Sequence, residues 1–225
     1  MAYSSQIGQV IYTVYSRQAT LTMDHGRQKI RPRATTLMLL AGCGGILFIA
    51  TFIVLGFLTP GYNSLQNTIS SLELTPFKLV QQANFFVFGA LLCVFALGLR
   101  RELQEGFGVV LIPAIQFIDG LGVIGDAIFI RSVPHLACDL VAFNAALCVL
   151  FLFAWRFRGD PHWRGWTAYS ILTAIAMMAL LFAFGMANHL GGPAGLMEKL
   201  ATIVRTTWSV LFVRRLLAGD RPSRS

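Results

Sequence analysis

Apolar residues along this chain gather into six long runs, and polar residues collect in short clusters between them. The runs cover residues 37–58, 81–99, 109–129, 135–154, 166–187 and 195–212. A helix rises about 1.5 Å per residue, so roughly 20 residues cross the hydrocarbon of a bilayer. Each run is close to that length. Backbone N–H and C=O groups in lipid must find partners within the chain, and a helix supplies them internally. The pattern therefore predicts an all-α integral membrane bundle of six transmembrane helices over residues 35–217. The flanks, 1–34 and 218–225, are polar and basic and read as flexible tails. Met23 stands just ahead of the basic residues 27–33 and offers a second translation start.

Charge fixes a direction. Of 18 Lys and Arg residues, Arg17, Arg27, Lys29, Arg31, Arg33, Arg100, Arg101, Arg156, Arg158, Arg164, Arg214, Arg215, Arg221 and Arg224 fall on alternate connections and both tails. The other side has only Lys78, Arg131 and Lys199, and Arg205 lies inside the sixth run. Basic residues concentrate on the cytoplasmic side of membrane proteins, so both termini are expected there, in a plasma membrane. An odd number of spans would break the alternation. Trp155, Trp163 and Trp166 stand at the expected inner interface, where amphipathic rings belong. Composition agrees. Hydrophobic residues make up 56% of the chain and charged residues 12%, about half the share of a soluble domain. The net charge of +8 suits the anionic inner leaflet rather than nucleic acid, because the cations flank apolar runs.

Other motifs narrow the chemistry. Cys43, Cys93, Cys138 and Cys148 all lie within apolar runs with no CxxC spacing, and read as small buried hydrophobes. Leu40-Ala41-Gly42-Cys43 has the form of a lipoprotein cleavage box, but the chain stays apolar beyond it. There is no HExxH, GxSxG or phosphate-binding loop. The connection 59–80 is the one long expected outer segment, with a turn signal at its start and Ser70-Ser71-Leu72-Glu73 as a helix start. It reads either as a solvated connector or as a lid.

Charges inside spans are costly and mark pairs or functional sites. Asp119 and Arg205 fall at similar depth in runs three and six, which suggests a buried charge pair, with Gln116 one turn from Asp119. Asp126, His135, Asp139, His189 and Glu198 fall in the expected outer third. Two imidazoles and three carboxylates suit a divalent metal, with Asp126, His135 and Asp139 as first ligands. They equally suit a proton relay, a lipid-headgroup site or a hydrogen-bonded structural cluster. Along run six, Glu198, Thr202, Arg205 and Ser209 draw one polar stripe at helical spacing. Gly120, Gly122 and Gly125, with Pro113, suggest close packing and a kink in run three, and Asn84 and Asn144 suggest interhelical hydrogen bonds.

Gly61-Tyr62-Asn63, Ile69-Ser70-Ser71-Leu72, Pro76, Asn84-Phe85, the three glycines of run three and His135 together resemble the domain of unknown function 998 family. That is a family of small multi-pass prokaryotic membrane proteins. The resemblance extends over about residues 37–217. It implies a six-helix membrane protein and no particular activity. Three function classes follow from the residues themselves. The first is an outward pocket that binds or transports a small polar solute, ion or lipid headgroup. The second is a metal-dependent hydrolase acting at the outer leaflet. The third is a structural or regulatory subunit.

Overall fold

The computed structural model describes residues 33–130 and 132–218. All regular secondary structure among them is helical. Helix α1 (Arg33–Leu58) contains a short 3-10 turn at Ala41–Cys43. It is followed by α2 (Lys78–Glu102), α3 (Leu111–Ile128), α4 (Val133–Phe157), α5 (Trp166–Leu190) and α6 (Ala194–Leu217). Helices α1 to α5 are long and apolar enough to cross a membrane. Helix α6 has comparable length, but Glu198, Lys199 and Arg205 interrupt its apolar surface. The expected tails and the start at Met23 fall outside the described residues, except for residues 33, 34 and 218. Arg33 and Ala34 are helical rather than tail, as two strong helix formers would be.

Each helix packs on its neighbours in the chain, and α6 returns to α1, closing the bundle. We call the end carrying the 59–77 connection upper and the end carrying the 158–165 turn lower. Pro113 lies in the first turn of α3, where its missing N–H leaves no helical bond unmade. It therefore starts the helix instead of kinking it. Gly120 of α3 crosses Gly89 of α2 so closely that a Cβ on either would lie 2.7 Å from the other's carbonyl oxygen. Gly122 meets Ala142 of α4 in the same way. Small residues thus hold α3 tightly between α2 and α4.

The interior has two apolar clusters. The lower one is aromatic, with Phe95, Phe153, Phe157, Trp163, Trp208 and Phe212 all buried. Its rings touch in series: Trp163 stacks on Phe157 at 4.3 Å and Trp208 on Phe212 at 5.0 Å. The indole of Trp208 donates to Ser170 Oγ at 3.0 Å, whereas the buried indole N–H of Trp163 has no hydrogen-bond partner among the described residues. The upper cluster comprises Phe48, Phe52, Phe85, Phe88, Ile69 and Leu72 among others. Outward, Phe57, Leu172 and Phe182 are 87, 64 and 73% exposed, an apolar surface suited to lipid.

Candidate functional site

The upper half holds a polar cluster drawn from four elements. Helix α3 supplies Asp126 from its buried face, where Gln116, Asp119, Val123 and Asp126 recur at helical spacing. Helix α4 begins at a Ser132 cap whose hydroxyl accepts from the His135 amide. This places His135 in the first turn, buried, and Asp139 one turn on. His135 Nδ1 lies 3.8 Å from Asp126 Oδ1, and its Nε2 lies 3.5 Å from Asp139 Oδ2. One donor atom from each residue can be chosen so that all lie within 4.8 Å of one another. Neither imidazole nitrogen has a hydrogen-bond partner, nor does Asp126 Oδ1.

Helix α6 supplies Glu198. Its Oε2 accepts from the Ile69 amide at 2.8 Å, tying the 59–77 connection to the helix. Lys199 completes that attachment, donating from Nζ to the carbonyls of Ser64 at 3.0 Å, Asn67 at 2.6 Å and Gly195 at 3.3 Å. The connection is therefore packed down on the bundle, with Ile69, Leu72 and Glu73 buried. Ser70–Leu74 forms a short 3-10 turn. Both Glu73 carboxyl oxygens are buried without a hydrogen-bond partner. Burial, and then the negative charge of Asp139, push the Glu73 carboxyl up to about 7, while Lys78 opposes them. Burial, reinforced by the charge of Glu198, raises the Tyr62 phenol to about 12.

Two turns below, Arg205 of α6 pairs with Asp119 of α3. Gln116 Nε2 donates to the same carboxylate at 2.8 Å. The Arg205 guanidinium also faces the Phe88 ring at 5.5 Å. A cavity of about 30 Å³, touching Asp126, Asp139, Glu198, Thr202 and Arg205, runs between the cluster and this pair. That is room for a water molecule or two.

Four of the five expected pocket residues thus converge: Asp126, His135 and Asp139 on one another, and Glu198 on the same cavity. His189 does not join them. It lies exposed in the last turn of α5. Asn84 bonds across helices, to the Phe48 carbonyl at 3.1 Å. Asn144 does not, and instead donates to Leu140 one turn back on its own helix. Two participants escaped the sequence reading. Glu73 looked like a solvated helix-start residue, although it lies between Leu72 and Leu74 in a segment with no other charge. Lys199 looked like an outer-loop cation, although it follows Glu198 directly within an apolar run.

Comparison with known families gives one match. The model for a protein of unknown function, DUF998, matches residues 43–215. The chain belongs to the DUF998 family. The match begins within α1, ends within α6 and includes every residue of the polar cluster. No curated protein and no solved structure matches the chain. DUF998 membership carries no activity with it, so chemistry has to be argued from the cluster.

Proposed function

We propose that this is a multi-pass membrane protein with six spans and cytoplasmic termini, whose upper polar cluster binds a small cation. Asp126, His135 and Asp139 are its first ligands, and Glu198 and Glu73 add negative charge around them. The lower, arginine-rich end would face the cytoplasm, and the cluster would open toward the outside of the plasma membrane. The return of the chain to the lower side and the pairing of Arg205 within the bundle support counting α6 as a span.

One observation carries the reading. Three carboxyl groups, Asp126, Asp139 and Glu198, line a small cavity, His135 lies against the first two, and Asp126, His135 and Glu73 present buried oxygens or nitrogens that no protein group satisfies. Buried polar atoms are almost always hydrogen-bonded, and buried like charges repel unless a cation or proton lies between them. The nearby cations are already committed: Arg205 to Asp119, and Lys199 chiefly to three backbone carbonyls. A divalent ion or a proton would satisfy the excess. The cavity is too small for a lipid headgroup or an ester substrate, which favours an ion over the hydrolase. For Asp119–Arg205 the structural reading is preferred, because Gln116 and Arg205 both bond Asp119 Oδ2, although its Oδ1 has no partner among the described residues.

Equilibrium titration of chelator-stripped protein in mild detergent with Zn²⁺ and Mn²⁺ tests this. About one ion per chain is expected, with affinity weakened at least tenfold in His135→Ala and Asp126→Asn. Absence of metal binding, together with no proton uptake between pH 5 and 8 that depends on Asp126 and Asp139, would contradict it.

A further inference from the structure

At the opposite end of the molecule lies a second polar feature that the cation reading does not use. Between the start of α5 and the end of α6 runs a groove of about 510 Å³. Arg164, Arg214 and Arg215 line it, with Trp166, Tyr169 and Leu211. No acidic residue does. Arginines in the last turn of a helix ordinarily just complement its dipole, which would account for Arg214 and Arg215 alone. It does not account for Arg164, which comes from the preceding turn, nor for the orientation of Arg215. The Arg215 guanidinium lies 5.0 Å from the Trp163 ring centre and 5.6 Å from that of Trp166. It also donates to the His162 carbonyl. These contacts hold one cation in place before any ligand arrives, while Arg164 and Arg214 stand exposed beside it.

The helix that opens at the groove adds donors. Gly165 precedes α5 in the left-handed region, at φ 84°, and no side chain caps the first-turn amides. Uncapped amides at a helix start favour an anion. Chemistry also changes along the groove. Tyr169 lies one turn into α5 and Leu211 one turn back along α6, so the charged mouth passes into an apolar floor. Exposed Trp155 and half-buried Trp166 stand at this level, as amphipathic rings at a membrane interface would, whereas Trp163 is buried in the core.

We infer that this groove binds an anionic phospholipid, with the headgroup phosphate among Arg164, Arg214 and Arg215 and an acyl chain against Tyr169 and Leu211. A free phosphate would satisfy the arginines but leave the apolar floor uncovered. The inference is independent of the upper cation site.

The test measures retention of phosphatidylglycerol against phosphatidylcholine by the full chain, by native mass spectrometry after reconstitution in equimolar vesicles. Wild-type protein is expected to retain the anionic lipid preferentially. Each exposed arginine is worth about fivefold near a membrane surface, so R164Q/R214Q should lower the preference by about twenty-five-fold. The control variant R100Q/R101Q removes two basic residues from the last turn of α2 and should leave the preference intact. A thermal shift gives a second reading: short-chain phosphatidylglycerol should stabilise wild type and not R164Q/R214Q. No preference for the anionic lipid, or equal loss in the control variant, would overturn the inference. Equal stabilisation by inorganic phosphate would overturn the lipid assignment.

Discussion

The lower half of the bundle is filled with aromatic rings packed on one another, while the upper half is built around charged groups that outnumber their partners. In the lower half, Trp208 has Ser170 for its indole N–H, and Phe153, Phe157 and Phe212 fill the space between helices. In the upper half, Asp126, His135 and Glu73 are buried with atoms left unsatisfied. Both halves lie on the same six helices. The difference teaches that one end of the bundle is closed by ring packing and the other by polar groups that also tie down the 59–77 connection. Between the halves, the Asp119–Arg205 pair marks the boundary.

Breaking that boundary should have the largest effect. Arg205→Met leaves Asp119 as a buried charge, and a loss of about 3–5 kcal/mol is expected. The double variant with Asp119→Leu should recover most of it. Thermal unfolding in detergent distinguishes the two. If the single and double variants were equally unstable, the structural reading of the pair would fail.

The lower half should respond to lost volume rather than lost charge. Phe212→Ala removes a ring that contacts Phe95, Phe153, Phe157, Trp163 and Trp208. Lipid is as apolar as the core, so the cost is packing rather than transfer from water. About 2–3 kcal/mol is expected, with cation affinity unchanged. A matching loss of affinity would erase the distinction between the halves.

Acidity should affect mainly the upper half. The Glu73 carboxyl rises from its ordinary value of 4.5 to about 7 on folding. The folded chain therefore holds a proton that the unfolded chain releases. This contribution is fully present below about pH 4.5 and is lost as pH rises through about 7. Glu73→Gln should flatten that fall, a difference on the order of 2 kcal/mol above pH 7. A stability profile unchanged by the substitution would remove Glu73 from the cluster.

The smallest effect is expected at the strap. Lys199→Met removes three bonds to backbone carbonyls but leaves Ile69 and Leu72 in the core. Global stability should change by about 1 kcal/mol or less, whereas amide exchange over residues 64–69 should rise about tenfold. Unchanged exchange would mean that apolar contacts hold the connection without the lysine.

Much of this was legible in the sequence because helices repeat. Asp119 and Asp126 are seven residues apart on α3, and Glu198, Thr202 and Arg205 follow a three-to-four spacing on α6. Counting residues gave their depth, and the period gave their face. His189 had depth but no face, since α5 is apolar nearly all round and buries only Ser170, Thr173, Ala174 and Met177. Its placement among the carboxylates therefore failed. Glu73 belongs to a connection without a regular period, and its burial depends on Glu198 and Lys199, more than a hundred residues away, holding that connection down. Such a contact has no local signature.

Crystals of the full chain grown with Mn²⁺ or Zn²⁺ would test the cation site most directly, through the anomalous scattering of the ion. A single peak is expected in the upper half, about 2.0–2.2 Å from a His135 nitrogen and from the Asp126 and Asp139 carboxylates, and absent in His135→Ala. Loaded crystals with no peak there, or with peaks only at exposed residues such as His189, would contradict the site.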